Sequence, residues 1–309
     1  MNPISTLVTE QLSGKQHYNI SPCKYAYGLL RSIIWKHPEP LMKPSEVDCI
    51  LLDLILWWKL AKQFLKPLPR RFAFFHKLLK NCKAPGYSIV LFDWPFSGAV
   101  ENKSLYEHFK HTSSFESYAD ALITVMDEMG LKDIIFVGHS MAAMIGCIAS
   151  TQRPNLFKRL VLLCASPRYI NDEDYEGGFE REDVEQLIST IELQFEEWVS
   201  AYAPIAVGPN DSDAVDKFRS CLKNMGAEVA VSLAKTVFHS DNRKILQNVE
   251  TPCTIIQSSN DAAIPVSVGH YLEKMMKGVS ALEFIDMTGH FPQLTAPHKL
   301  AQLLKAVLD

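Results

Sequence analysis

The chain has 309 residues, 47% of them hydrophobic and 21% charged, which suits one large domain or two small ones with ample material for a buried core. Its formal net charge of −4 makes no global case for nucleic acid as a partner. The seven cysteines (Cys23, Cys49, Cys82, Cys147, Cys164, Cys221 and Cys253) form no C-x-x-C pair and no metal-ligand spacing, so they predict buried free thiols in a reducing compartment.

The charge is unevenly spread. Residues 1–86 carry 13 Lys+Arg against 5 Asp+Glu, whereas residues 87–309 carry 18 against 30. This shift marks the expected internal boundary, with an atypical basic segment before it and the main domain after it. Residues 1–47 show no clear period, and nothing there has the charged-then-apolar layout of a secretory signal. Cys49 to Trp58 is strongly apolar, but Asp53 interrupts it and Lys59 ends it. It falls short of the roughly 20 residues a membrane span needs. From Leu54 to Phe92 there are eight Lys/Arg and no acidic residue, interleaved with Trp57, Trp58, Phe64, Phe72, Phe74 and Phe75. Pro67 and Pro69 break this stretch, so it is predicted as short helical pieces packed on the rest of the chain and not as a membrane-binding surface. No glycine occurs between Gly28 and Gly86, which excludes a glycine-rich loop from that span.

From Tyr87 the chain becomes readable. Ser88 to Asp93 is a strand bounded by Pro85-Gly86 and Pro95. Ser113 to Met129 is a helix, with Ser113 and Glu116 as a capping box and Gly130 at the C-terminal stop. Ile134 to Gly138 is a strand, His139-Ser140 a sharp turn, and Met141 to Gln152 a helix. Arg159 to Cys164 is the next strand. Near-continuous apolar strands alternating with helices predict a mainly parallel sheet covered on both faces. Residues 166–247 break the rhythm and read as helices only, with Val184, Leu187, Ile188, Ile191, Phe195 and Trp198 on one apolar face. Such an insertion predicts a lid over the C-terminal ends of the strands, where open α/β sheets bind ligands. The sheet resumes with Thr254 to Gln257 and Leu282 to Asp286, separated by a helix over about Val266–Met276, and a final helix closes the chain.

Three loops that follow predicted strands each carry one reactive group. They are Ser140, Asp261 and His290, in the chain order Ser–Asp–His used by α/β-hydrolases. A serine hydroxyl is a weak nucleophile near neutral pH. His290 would take its proton and later return it to the leaving group, and Asp261 would fix the imidazole tautomer and stabilise its cation. The turn departs from G-x-S-x-G only in having the small Ala142 at the last position. His139 is expected to pack or hydrogen-bond beneath the turn. The N–H of Met141, directly after the nucleophile, is the expected oxyanion donor.

Several longer strings carry a more specific likeness: Gly138-His139-Ser140-Met141 with Ala143-Met144-Ile145-Gly146, Ala165-Ser166-Pro167-Arg168-Tyr169, Asn171-Asp172-Glu173-Asp174-Tyr175 with Gly177-Gly178-Phe179-Glu180, and Ala203-Pro204-Ile205-Ala206-Val207-Gly208. From about Tyr87 to the end the chain resembles the plant strigolactone and karrikin receptor hydrolases. The loop Phe96-Ser97-Gly98-Ala99-Val100 resembles a receptor-like branch of that family. The resemblance implies an α/β-hydrolase fold with a four-helix lid and no cofactor or metal. It implies a small butenolide or other hydrophobic lactone or ester as ligand, and slow hydrolysis by the triad. It also implies signalling through an F-box protein and repressor targets, in the cytoplasm or nucleus. By position in the lid motifs, the pocket walls would be Tyr169, Phe179, Leu187, Tyr202, Phe218 and Phe238, with Ala263 beside the acid loop.

Residues 1–86 depart from this pattern. The family's first strands and its His-Gly-x-Gly oxyanion loop should precede Tyr87 and are not legible there. A missing strand between those ending at Asp93 and Gly138 would leave two buried ladder edges unpaired. Either Cys49–Leu56 substitutes for it, or the chain is a degenerate variant, or residues 1–86 come from a misjoined or alternative first exon. The last is favoured, because composition and resemblance change together near Gly86. Three functions therefore compete: a receptor-like serine hydrolase, a general carboxylesterase without signalling, and a binding-only signalling protein that has lost turnover.

Overall fold

The computed structural model describes strand residues Tyr18–Asn19, Ser32–Trp35, Cys49–Asp53 and Ser88–Phe92, then Trp94 and residues 113–308. The four early strands are β1 to β4 in chain order. They are followed by β5 (Ile134–His139), β6 (Phe157–Leu163), β7 (Cys253–Asn260) and β8 (Val279–Thr288). All eight form one sheet in the order β1-β2-β4-β3-β5-β6-β7-β8. The β1–β2 and β2–β4 pairs are antiparallel and every later pair is parallel.

β3 answers the question raised by the ladder edges. Cys49–Asp53 lies between β4 and β5, with Ile50 opposite both Ile89 and Ile135. The gap is therefore filled, and the hydrogen-bonding edges of β4 and β5 are satisfied by a strand from the basic segment. The described parts of residues 1–86 are strands, where a basic helical segment was expected; the helical pieces expected on either side of Pro67 and Pro69 lie outside the described residues.

β5 is buried along its whole length, as its unbroken apolar run requires of a central parallel strand. α2 (Met141–Gln152) packs against it, and α1 (Phe115–Glu128) packs against α2. α1 starts one residue later than the sequence suggests. The cap is Ser114, whose hydroxyl accepts the Ser117 N–H at 3.1 Å while the Ser117 hydroxyl accepts the Ser114 N–H at 3.1 Å. Ser113 is drawn away to hydrogen-bond Tyr118 and Thr236 at 3.1 and 3.0 Å, so Ser113 and Glu116 form no box. At the other end Gly130 has φ 65°, and Leu131 and Gly130 donate to Met126 and Asp127 at 2.9 and 3.0 Å. Glycine accepts this left-handed conformation without the clash of a Cβ.

Between β6 and β7 stand four helices: α3 (Arg181–Leu193), α4 (Phe195–Val207), α5 (Ser212–Met225) and α6 (Ala227–Phe238). The single apolar face drawn through Val184 to Trp198 is two helices that meet at Gln194, whose φ and ψ of −137° and 51° break the run. The two ends of this lid are tied together. Arg168 and Asp241 form an antiparallel bridge and an ion pair at 2.6 Å. Arg243 reaches Asp172 and Asp241 at 2.8 and 2.7 Å, and the Asn242 N–H donates to Pro167 at 2.8 Å. α7 (Val266–Met275), α8 (Pro292–Thr295) and α9 (Pro297–Leu308) complete the fold. Among the described residues no helix is long and apolar enough to cross a membrane.

Candidate active site

Ser140 stands between β5 and α2 with φ 54° and ψ −119°, a conformation that non-glycine residues rarely adopt. The strain is held by the surroundings. The Ser140 N–H donates to Leu163 at 2.8 Å, its carbonyl accepts from Ala143 at 3.1 Å, and α2 is buried from Met141 to Ser150. Gly138 is indispensable to the turn. A Cβ there would lie 2.7 Å from the Phe136 ring and 2.8 Å from the Ala142 backbone. Ala142 itself is fully buried without difficulty, so the alanine fits where the sequence pattern has glycine. Gly138→Ala is expected to destabilise the protein by about 1–3 kcal/mol through overpacking. At roughly 2–4 °C per kcal/mol for a domain of this size, the loss is readable as a lower thermal midpoint; an unchanged midpoint contradicts this account of the turn. Met141 is the first residue of α2, so its N–H has no acceptor within the helix.

Asp261 lies just past β7, and His290 two residues past β8. Their side chains are 1% and 8% exposed, and the His290 Nδ1–H donates to Asp261 Oδ2 at 2.6 Å. Asp261 Oδ1 accepts the Ala263 N–H at 2.8 Å. Burial pushes the Asp261 carboxyl upward, but His290, the Ala263 N–H and His139 outweigh it and hold the group below its ordinary value.

The backbone of His290 is clamped from two sides. Its carbonyl accepts a 2.7 Å hydrogen bond from His139 Nε2. Burial first, and then the neighbouring His290, lower the His139 pKa to about 3, so the ring is neutral and carries its proton on Nε2. Its place beneath the turn agrees with the sequence reading. On the other side the His290 N–H donates to Ala206 of lid helix α4 at 2.7 Å. This seam is close: a Cβ on Gly289 would lie 2.1 Å from the Val207 carbonyl oxygen, so no larger residue fits while α4 keeps its position.

The expected pocket residues fall into two aromatic groups. Tyr169 and Phe179 both make edge contacts with Phe238, at 5.1 and 5.3 Å, and Ala263 packs in the same cluster. The Tyr169 hydroxyl is 3.4 Å from Ser140 Oγ. Phe218 and Tyr202 lie 6.1 Å apart in the lid cluster, with Leu187 packed against it. Phe179 and Phe238 pack against both clusters and so join the groups. Two further rings were not singled out as walls. Phe291 stands 4.6 Å from Phe218, 5.0 Å from His139 and 5.2 Å from His290, and Trp198 stacks on Tyr202 at 5.0 Å. The available signals were adjacency of Phe291 to His290 and the i, i+4 spacing of Trp198 and Tyr202.

A family model described as the alpha/beta hydrolase fold matches residues 68–297, beginning upstream of the boundary drawn from composition. A strigolactone esterase of Arabidopsis thaliana is 40% identical over 222 residues, which cover 72% of this chain and 82% of that protein. A karrikin insensitive 2 receptor of Petunia hybrida is 42% identical over 212 residues, 68% of this chain and 77% of the relative. The chain belongs to the strigolactone and karrikin receptor group of α/β-hydrolases. Among solved structures, a hydrolase from Oleispira antarctica superposes on this receptor-type hydrolase with a TM-score of 0.72 at 25% identity, covering 85% of this chain and 91% of that one.

His139, Cys164 and His290 bring three possible ligand atoms of this α/β-hydrolase within 4.8 Å of one another. One nitrogen of each histidine is already engaged, in the bonds to the His290 carbonyl and to Asp261. Burial, followed by the Asp261 charge, raises the Cys164 thiol well above its ordinary pKa and so disfavours the thiolate form.

Proposed function

We propose that this protein is a receptor-like serine hydrolase that binds a small butenolide or ester beneath its helical lid and cleaves it slowly. Ser140 is the nucleophile, His290 the general base and then acid, and Asp261 the partner of the imidazole. The observation that carries this reading is the buried His290–Asp261 hydrogen bond of 2.6 Å, on the same edge of the sheet as the Ser140 turn. With Nδ1–H given to Asp261, the imidazole offers Nε2 as its free base. Ser140 Oγ bonds to the carbonyl carbon, its proton passes to Nε2, and the carbonyl π pair moves onto oxygen, where the Met141 N–H receives it. The tetrahedral centre then expels the leaving oxygen, which takes the proton from His290. Water releases the acyl group from Ser140 by the same route.

The two aromatic groups supply apolar walls with few polar atoms, as a small hydrophobic ligand requires. We extend this proposal, from the resemblance read in the lid strings, to signalling through an F-box protein and repressor targets in the cytoplasm or nucleus. The test combines a thermal-shift titration with a synthetic butenolide and mass-spectrometric detection of the ring-opened product. A raised midpoint with slow product formation is expected. Turnover of simple esters with no butenolide shift favours a general carboxylesterase, and a shift with no product favours a binding-only receptor; either result overturns the proposal.

A further inference from the structure

The Ser140 hydroxyl has one hydrogen-bond partner among the described residues, and it is not the imidazole. The partner is the hydroxyl of Tyr169, at 3.4 Å. Tyr169 is 3% exposed and belongs to the segment that leads from β6 into the lid. Its position does not depend on its hydroxyl. The Tyr169 carbonyl accepts the Phe179 N–H at 3.1 Å, and its ring is packed edge-on against Phe238 at 5.1 Å. A Cβ on Gly177 would lie 2.5 Å from the Tyr169 carbonyl oxygen, so the backbone is closely packed here too. The hydroxyl is thus held beside the reacting serine by a closely packed backbone and ring, and as a phenol it can donate there.

The sequence gives this donor a task. An α/β-hydrolase oxyanion hole ordinarily takes one N–H from the residue after the nucleophile and one from a loop after an earlier strand. In this chain no glycine occurs from residue 29 to residue 85, so the glycine-rich form of that loop is missing from the sequence that precedes β4.

We propose that the Tyr169 hydroxyl is a catalytic hydrogen-bond donor that, together with the Met141 N–H, stabilises the oxygen that becomes negative when Ser140 attacks. That oxygen is bonded to the same carbon as Ser140 Oγ, one bond angle away, so a hydroxyl already beside Oγ turns to it with little movement. The Ser140 proton goes to His290. Tyr169 keeps its own proton and only shares it. Burial, the largest influence on this phenol, moves its pKa upward and keeps it in the protonated, donating form. The role rests on Ser140 being the nucleophile.

The deciding variant is Tyr169→Phe, which keeps the ring and removes only the donor. The reporter is the second-order rate of Ser140 phosphonylation by a fluorophosphonate, in which the phosphoryl oxygen gains charge as the ester carbonyl does. Phenylboronic acid, which forms a tetrahedral adduct with an active serine, reports the same site at equilibrium. Loss of one oxyanion donor typically lowers turnover by about 10²–10³-fold. Labelling of Tyr169→Phe is expected to slow by that order and boronate affinity to fall in parallel. The thermal midpoint should stay that of wild type. Labelling and boronate affinity unchanged from wild type, or faster labelling, overturns the role, since the hydroxyl would then be passive or would hold the serine back. Failure of wild type to label at all overturns the serine-hydrolase reading first and this role with it.

Discussion

Asp261→Asn is expected to lower kcat for ester cleavage by about 10⁴-fold, the size of loss seen when the triad acid is made an amide in serine proteases. In the wild-type arrangement Asp261 Oδ2 accepts from His290 Nδ1 at 2.6 Å and Oδ1 accepts from the Ala263 N–H at 2.8 Å. An asparagine can keep its carbonyl on Ala263, but it then presents an N–H₂ donor to Nδ1. The imidazole responds by moving its proton to Nε2, the atom that must be free to accept the proton of Ser140. Both pair members are nearly inaccessible, so no solvent route restores the tautomer. Apparent KM should change little, because neither atom lies on the aromatic walls. Steady-state kinetics on a chromogenic ester, with circular dichroism as the folding control, checks this. A loss of less than about tenfold would contradict the assignment of Asp261.

Acid should destabilise the fold well above the range in which carboxylates titrate, and His139 is the reason. Its pKa is 6.5 in the unfolded reference and about 3 in the fold, where burial disfavours the charged ring most strongly. Above pH 6.5 neither state carries the proton, and the group's contribution to stability is fully present. As the pH falls below 6.5 the unfolded chain binds a proton that the folded chain refuses, and stability is lost until the pH nears 3. The slope is about 1.4 kcal/mol per pH unit, so roughly 2–3 kcal/mol should be gone by pH 4.5. Asp261 acts in the same direction but lower. Its folded pKa lies below 3.8, so its contribution fades only as the pH falls through that value. Urea unfolding between pH 7 and 4.5 measures the slope. His139→Gln, whose amide can still donate to the His290 carbonyl, should be flatter over this window. Equal slopes for the two proteins would remove His139 as the cause.

The later two-thirds of the fold could be read because its strands are buried on both faces. Apolar runs such as Ile134–Val137 and Leu160–Leu163 leave little choice but a central parallel strand. The four lid helices were legible as an insertion, though not the break at Gln194, because Phe195 and Trp198 continue the period of the preceding helix. The cap of α1 was misplaced by one residue because Thr112, Ser113 and Ser114 all suit that position, and it is Tyr118 together with the distant Thr236 that draws the Ser113 hydroxyl away. β3 was visible only as one of three accounts. Cys49–Asp53 is the apolar part of a longer run that also fits a packed helix, and its neighbours β4 and β5 are what make it a strand. At the site, the order Ser–Asp–His was in the sequence. The carbonyl of Ala206 on the His290 N–H, the ring of Phe291 against His139 and the Tyr169 hydroxyl beside Ser140 were not. Those contacts join residues far apart in the chain, and no local period records them.

The central claim is that Ser140 is an activated nucleophile, and covalent labelling tests it most directly. Wild-type protein treated with a fluorophosphonate and digested should carry the adduct on Ser140 and on no other serine. Ser140→Ala should carry none while keeping the wild-type thermal midpoint. Equal labelling of the two proteins, or an unlabelled wild type, would contradict the account.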